Sequence, residues 1–239
     1  MKGDKIISRQ IFELRYKAVA KVLDLRGALV DDLSKECSFE HWKVSRNRIE
    51  LKLSEDDTEK GFVSYYNCGY VIYNASTKNY FSDKAIKFTK ALLNNINFTA
   101  DYFLRFGVRS TFCREVKSEF KDLVEKFAQK TNIKNTELLK IYKGKLVDIG
   151  FPLNFEEGDK SYNTMCGPMD KEQMPQFIIE PGTVIEKIDF PELALFFDID
   201  IFRKEIGKIK TKDDILNLIS SYSKESWKYF EHVYNHFLG

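Results

Sequence analysis

Residues 101–116 read DYFLRFGVRSTFCREV, a run that predicts one long strand. Apolar and aromatic side chains recur through it, and Arg105 and Arg109 share one face because successive side chains of a strand point to opposite faces. Gly107 lies in the middle of the run. A glycine at such a position is typical of a bulge or of a close approach by another part of the backbone, so we expect this strand to be central in its sheet.

The segments before this strand predict an α+β arrangement. Residues 5–16 predict a first strand, and the alternating run 46–53 predicts a second one with Ile49 and Leu51 facing inward. Residues 62–73 are expected to pair with it as a hairpin. Helices are predicted for residues 25–37 and 82–97, the second one capped by Ser82. The order strand, helix, two strands, helix, strand is that of a ferredoxin-like unit.

The segments after this strand predict more sheet and a long terminal helix. A helix is predicted around residues 120–127, and strands are predicted for residues 146–155, 162–166, 177–180, 184–190 and 193–202, separated by glycine and proline turns. Thr211 and Asp214 have the spacing of a capping box at the start of a helix over residues 212–238. The chain is therefore expected to form an α+β lobe over 1–116 and a second one over 117–239, or one compact domain, with antiparallel sheets covered by helices.

The composition is that of a globular protein with an aromatic core. The 239 residues are 43% hydrophobic and include 20 Phe and 12 Tyr, which favours helix-on-sheet packing over a helical bundle. With 38 basic and 36 acidic residues, the net charge of +2 is too small to indicate a nucleic-acid-binding protein by itself. Any such function must depend on a local basic patch.

The cysteines and the N-terminal residues indicate a location in the cytosol. Cys37, Cys68, Cys113 and Cys166 form no C-x-x-C pair, so the sequence predicts buried reduced thiols and neither a zinc site nor a redox site. The first residues lack the apolar stretch of a signal peptide. No segment approaches the roughly 18 apolar residues that a membrane helix needs, so no membrane contact is expected.

Several strings resemble, in their order, a sporadically distributed family of uncharacterised prokaryotic proteins of about this length. They are IFELRY at residues 11–16, LDLRG at 23–27, RFGVR at 105–109 with Arg114, and FDID at 197–200 before a helical tail. Ser110 and Cys113 depart from the usual pattern of the middle strand. The resemblance implies no catalytic residue, because no reaction or ligand is established for the family. Its patchy occurrence implies a gene of mobile or defence-related loci.

Asp198 and Asp200 are the candidates for metal chemistry. They lie two residues apart on a predicted strand, so their carboxylates share a face, as a divalent cation would require. The alternative is that they face solvent or pair with arginines. No triad or phosphate-binding loop accompanies them. The sequence therefore predicts no catalytic residue and no cofactor, and a metal-dependent enzyme is the third hypothesis.

The basic strands are the candidates for nucleic-acid binding. The residues involved are Arg46, Arg48, Lys52, Arg105 and Arg109. If their strands are neighbours in one sheet, these side chains and the rings of Tyr65, Tyr66 or Tyr70 form a platform for RNA or single-stranded DNA. The alternative is that they pair with Glu13, Glu50 or Glu115.

The favoured function is a non-enzymatic protein-interaction component of the cytosol, of a prokaryotic defence or toxin-related locus as the resemblance implies. Its expected partner is another protein or a second copy of the chain. Trp227, Tyr229 and Tyr234 are the predicted interface, because they lie partly off the apolar stripe of the last helix. Nucleic-acid binding is the alternative function.

Overall fold

The computed structural model describes residues 5–96, 102–133, 141, 144–185, 188–204, 209 and 211–239. Nine strands and six helices are formed within these residues. The strands are β1 (Ile6–Tyr16), β2 (His41–Val44), β3 (Arg48–Lys52), β4 (Glu59–Ser64), β5 (Asn67–Tyr73), β6 (Phe103–Glu115), β7 (Phe151–Glu157), β8 (Lys160–Asp170) and β9 (Leu193–Arg203). The helices are α1 (Lys21–Asp24), α2 (Arg26–Cys37), α3 (Tyr80–Asn95), α4 (Phe120–Lys130), α5 (Met174–Ile178) and α6 (Lys212–Leu238).

All nine strands belong to one antiparallel sheet in the order β2-β3-β4-β5-β1-β6-β9-β8-β7. The predicted α+β class is confirmed. Strands β4-β5-β1-β6 with α2 and α3 have the order and connections of a ferredoxin-like unit, to which the β2–β3 hairpin adds one edge. The second half of the chain adds the other edge, because β9 pairs with β6 from Ala194 to Arg203. The sheet therefore continues across the boundary expected at residue 116.

The long helices α2, α3, α4 and α6 cover one face of the sheet and form the main core with it. Phe12, Phe106 and Phe112 are fully buried on this face. The Phe112 ring lies 4.4 Å from that of Trp227 and 4.6 Å from that of Phe230, both on α6. Each such aromatic side chain contributes about 2–3 kcal/mol of burial energy, so α6 is held mainly by ring packing.

Among the described residues, the opposite face of the sheet is covered at one end only. There α5 and the residues that follow it pack on Ile7, Tyr73, Cys113 and Phe196 in a second, smaller core. The Phe177 and Phe196 rings are 5.3 Å apart. The remainder of this face, which we call the open face, includes the outward side chains of β3, β4, β5, β1, β6 and β9.

Several sequence predictions are confirmed and several are wrong. The long central strand and the last helix with its Thr211–Asp214 capping box are confirmed. The strand predicted for residues 177–180 is wrong, because Pro175 opens the short helix α5. The described residues of 184–190 form no strand. The predicted helix ended at residue 97 and the predicted long strand began at residue 101, and both of these residues lie outside the described ones. Most of 134–143 lies outside them too.

Two further predictions fail for local reasons. The run 62–73 is two strands, because Tyr65 and Tyr66 turn between them and their carbonyls accept hydrogen bonds from the backbone of Val19 and Tyr16. Ser82 does not cap its helix, since α3 begins at Tyr80. Within the described part of the chain, no helix is long and apolar enough to cross a membrane.

We predict opposite effects for alanine at two glycines. A Cβ atom at Gly69 in β5 would collide with the Phe12 carbonyl oxygen and the Phe62 ring, whereas one at Gly27 in α2 meets nothing within 4 Å. Gly69→Ala is expected to lower the free energy of unfolding by about 2–3 kcal/mol through overpacking. Gly27→Ala is expected to raise it by about 0.5–1 kcal/mol. Urea melts of both variants test the pair, and a tolerated Gly69→Ala contradicts the close approach of β5 to β1.

Candidate functional site

A polar cleft of about 390 Å³ lies on the open face. Its floor consists of Ile11 on β1 and Val71 on β5, which face each other across the two strands. Six basic and three acidic side chains surround this floor: Arg9, Arg15, Arg48, Lys60, Arg105 and Arg109, and Glu13, Glu180 and Asp200. The cleft is thus rich in charge and locally basic, although the whole chain is nearly neutral.

Glu13 occupies the middle of the cleft between two glycines. It lies opposite Gly69 on β5 and opposite Gly107 on β6, so neither position directly across from it carries a side chain. Asn67 Nδ2 donates to it over 2.7 Å and Arg15 Nε over 2.9 Å, while Arg105 Nη1 is 3.6 Å away. Gly107 forms no bulge, but a Cβ atom there would come within 3.1 Å of Phe202 Cβ. The nearest atoms at this glycine are thus side-chain atoms of Phe202 and Arg105, and the close backbone approach expected there is not observed.

Two arginines that lie on aromatic rings form the walls of the cleft. The Arg48 guanidinium lies 4.3 Å above the Phe62 ring, and that of Arg105 lies 4.6 Å above the Phe202 ring. A guanidinium over a ring face is attracted by the ring quadrupole and keeps its in-plane donors available. Both rings are buried, so the guanidinium groups above them are what this part of the cleft offers to a ligand.

Asp198 and Asp200 share the open face, as predicted, and both pair with arginines. Arg109 Nε and Nη2 each lie 3.0 Å from Asp198, and Thr111 Oγ1 donates to it over 2.7 Å. Arg105 Nη2 donates to Asp200 over 2.9 Å. The alternative of arginine pairing is therefore observed. In the part of the chain that the structure describes, no group of three or more His, Cys, Asp or Glu side chains is placed to hold a metal ion.

These ion pairs shift the pKa values of their members. The hydrogen bond to Asp198 raises the pKa of Arg109 above its ordinary value, so this guanidinium stays charged. Burial raises the pKa of Asp200, and the charges of Arg105 and Arg109 oppose the shift only in part. The surroundings of Asp200 thus disfavour its charged form.

Arg9 lies at the covered end of the cleft. Its side chain is 6% exposed, packs 5.9 Å from the centre of the Tyr73 ring, and forms an ion pair with Glu180, which follows α5. Asp57 holds the same segment, which connects α5 to β9, at a second place. The Val184 N–H donates to Asp57 Oδ2 over 2.8 Å, and Asp57 N–H donates back to the Val184 carbonyl over 2.7 Å. Residues 180 and 184 are therefore tied to the sheet at two points.

The structure brings together only part of the predicted basic platform. Arg48, Arg105 and Arg109 line the cleft. Lys52 shares their face but pairs with Asp57 at 2.8 Å, and Arg46 lies in the turn before β3. The expected tyrosine platform is wrong: Tyr65 and Tyr66 form a turn, and Tyr70 lies on the helix-covered face, where it donates to Glu59 over 2.6 Å. Of the expected cross-strand acidic pairs, Arg105 with Glu13 is observed, whereas Arg48 pairs with Glu50 within β3.

Sequence reasoning missed Arg9, Arg15, Lys60 and Glu180 as cleft residues. The first two had a signal, because Arg9, Ile11, Glu13 and Arg15 alternate along a predicted strand and so share a face. Lys60 precedes the run that was assigned to a strand. Glu180 had no signal, since its segment was predicted to be a strand and its position depends on the short helix before it.

The predicted interface on the last helix is placed differently. Trp227 is 8% exposed and packs in the main core, so its expected position off the apolar stripe is wrong. Tyr229 and Tyr234 are partly buried. Tyr229 contacts the Tyr162 ring, and the Arg114 guanidinium lies 3.7 Å above the Tyr234 ring. The aromatic residues of α6 thus mainly contact the sheet.

The four cysteines are free and buried, as the sequence predicts. Burial raises the pKa of Cys37 and of Cys166 to about 11, and raises that of Cys68 and Cys113 further. At neutral pH these thiols are protonated and therefore poor nucleophiles.

Comparison of the chain with models of known protein families gave no match, and comparison with curated proteins gave none.

We predict a pH-dependent contribution from Asp57. Burial favours a higher pKa, but the hydrogen bonds from Lys52 and the Val184 N–H, with the charge of Lys60, lower the pKa below its ordinary value. A lowered pKa contributes stability above the unfolded value of about 3.9, and this stability is lost as the pH falls through the folded pKa. Asp57→Asn is therefore expected to cost about 2 kcal/mol at pH 7, and the difference from the parent should shrink toward pH 3. Denaturant melts between these pH values measure it.

Asp189→Asn is the matched control for Asp57→Asn. Asp189 lies in the segment between α5 and β9 that Asp57 contacts, but its side chain is 83% exposed and its partner Lys5 lies at the surface. The control is expected to change stability by less than about 0.5 kcal/mol at either pH. A difference between Asp57→Asn and the parent that is the same at pH 7 and pH 3 would contradict the assigned charge state.

Proposed function

We propose that the protein is a non-enzymatic binding protein of the cytosol that accepts single-stranded nucleic acid in the cleft of the open face. The observation that carries this proposal is the convergence, among the residues that the structure describes, of six basic and three acidic side chains on one cleft, the basic ones from four strands. This local excess of positive charge supports attraction of a phosphate backbone. The small net charge of the whole chain would not support it.

The ion pairs of the cleft leave donors for a ligand. A guanidinium has five N–H donors, and Arg109 uses Nε and Nη2 on Asp198. The side chains of Arg15, Arg48 and Arg109 remain 53%, 40% and 51% exposed. From β3 to β6 there are four strand spacings of about 4.8 Å, so these groups span about 19 Å. This is the dimension of an extended strand of several nucleotides.

The walls of the cleft favour unpaired bases over a duplex. Unstacked bases are commonly recognised by stacking on aromatic rings or on guanidinium planes. Arg48 and Arg105 present such planes, each supported from below by a phenylalanine ring. Glu13 and Asn67 lie between them and supply polar groups for base edges. Duplex recognition would instead need an element that enters a groove, whereas this surface is concave.

We predict salt-sensitive binding of short RNA or DNA single strands. Fluorescence anisotropy should give an affinity that falls with salt, with a slope of log K against log[salt] of about −2 to −3 for three or four phosphate contacts. Arg48→Glu and Arg109→Glu should each weaken binding at about 50 mM salt by tenfold or more. Lys121→Glu, an exposed residue of α4 on the helix-covered side, is the matched control with the same charge change.

The control should bind within about twofold of the parent, because exposed charges separated by more than a Debye length of about 10 Å are largely screened. If Lys121→Glu and Arg109→Glu weaken oligonucleotide binding equally, the nucleic acid is attracted by the charge of the whole protein and not by the cleft. Absence of binding by the parent at low salt would reject nucleic acid as the ligand.

Protein contact is the second candidate, and the edges of the sheet favour it. In the described chain, β2 pairs only with β3, and β7 only with β8. Trp42 and Val44 on β2 and Leu153 on β7 are 48–61% exposed on the helix-covered side. An unpaired edge with apolar side chains is a template for a further strand. We propose a second copy of the chain as the partner, since an edge of one copy continues the sheet of another.

We predict that Trp42→Lys or Leu153→Lys reduces this association. Light scattering after size exclusion should give a mass above that of the monomer for the parent and a lower mass for the variants, because a lysine at an edge opposes strand addition. Trp227→Phe, a conservative change in the core, is not expected to alter the mass. A parent that remains monomeric up to its highest soluble concentration contradicts the edge contact.

A further inference from the structure

Arg9 is a buried cation whose acidic partner lies outside the sheet. Its side chain is 6% exposed, while that of Glu180, the acid it pairs with, is 46% exposed. Among the described residues, Arg9 Nε has no hydrogen-bond partner, and neither does the buried hydroxyl of Tyr73 beside it. Buried polar atoms are almost always paired, so two unpaired ones at the same place require an explanation.

Besides Glu180, this end of the cleft holds the cations Arg9, Arg109 and Lys60, and Arg109 also pairs with Asp198. Arg9 lies opposite Thr111, and Ile11 lies opposite Arg109, so Arg9 and Arg109 are diagonal neighbours on adjacent strands. Diagonal neighbours lie about 7–8 Å apart, within reach of one bound group. Lys60 lines the cleft on the other side of Ile11. Glu180 thus supplies a carboxylate to a position surrounded by cations.

We propose that Arg9 and Arg109 form the phosphate-binding end of the cleft, and that the Glu180 carboxylate occupies this position until a phosphate group of the ligand replaces it. This inference rests on the proposed function and identifies where the nucleic-acid backbone is held. The exchange keeps Arg9 paired, because one anion replaces another, and a buried arginine without a partner is strongly unfavourable.

The chemistry of the two anions favours the exchange. A carboxylate holds its two oxygens in one plane, whereas the two non-bridging oxygens of a backbone phosphate diverge from a tetrahedral phosphorus and can each accept from a different guanidinium group. Glu180 is already half exposed and regains full hydration when it leaves. It precedes Pro181 and Gly182, and the latter has φ +80°, a turn conformation that glycine adopts without strain. The acid therefore lies on a turn and not within a strand that would have to break.

Glu180→Gln tests the inference, because glutamine keeps the size of the side chain and removes the competing charge. The variant should bind the single-stranded oligonucleotide about five- to tenfold more tightly than the parent. Inorganic pyrophosphate should raise its melting temperature by about 3 °C or more at a concentration that leaves the parent nearly unchanged. Glu192→Gln removes an 85% exposed carboxylate that pairs with Lys171 instead, and it should behave like the parent.

The outcomes separate this inference from the proposed function. If the parent binds the oligonucleotide and Glu180→Gln binds it no better, the inference is wrong and nucleic-acid binding stands. If neither binds it but pyrophosphate stabilises Glu180→Gln alone, the phosphate site stands and nucleic acid is rejected. If Glu180→Gln does not fold, Glu180→Asp, whose shorter side chain weakens the pair, should show about twofold tighter binding; unchanged affinity there overturns the inference.

Discussion

Strand β6 pairs with β1 on one side and with β9 on the other, and the register of these pairings determines which side chains are neighbours on the open face. In this register Glu13, Gly107 and Phe202 lie side by side, and Ile11, Arg109 and Asp200 form the next row. A shift of one residue would turn every one of these side chains toward the helices. Phe12, Phe106 and Phe112 prevent this, because their rings are buried on the helix-covered face. The apolar core thus determines where the charged groups of the cleft lie.

The charged groups contribute more to the shape of the cleft than to stability. Removing an arginine and a carboxylate from water costs about as much as their attraction returns, so such pairs add little net stability. Breaking one of them leaves a partly buried charge, which is costly. Arg105 shows how these constraints combine, since it contacts Asp200 and Glu13 and lies above the Phe202 ring. Such a side chain has little freedom to move, which lowers the entropy lost on binding a ligand.

The sequence was a good guide wherever one periodic pattern decided the structure. From alternation alone, Arg105 and Arg109 could be assigned to one face of their strand, and Asp198 and Asp200 to one face of theirs. The sequence could not show that both pairs lie on the same side of the sheet, because strand order depends on contacts between distant segments. Trp227 was misplaced for a related reason: α6 packs on both β6 and α3, so its apolar stripe is wider than one line of residues at helical spacing. Glu180 was not identified because its segment was expected to be a strand, whereas it follows the short helix α5 and precedes the turn at Gly182.

The two glycines of the cleft explain how its walls can approach a central carboxylate. Gly69 leaves room for the Phe62 ring, and Gly107 leaves room for Arg105 and the Cβ of Phe202. The Arg48 and Arg105 guanidinium groups then lean over these positions from opposite sides of Glu13. A side chain at either glycine would push one wall outward and leave the carboxylate exposed to water. Strand pairing holds the floor of the cleft and buried rings support its walls, whereas Glu180 lies on a turn outside the sheet, which is where the exchange proposed above requires movement.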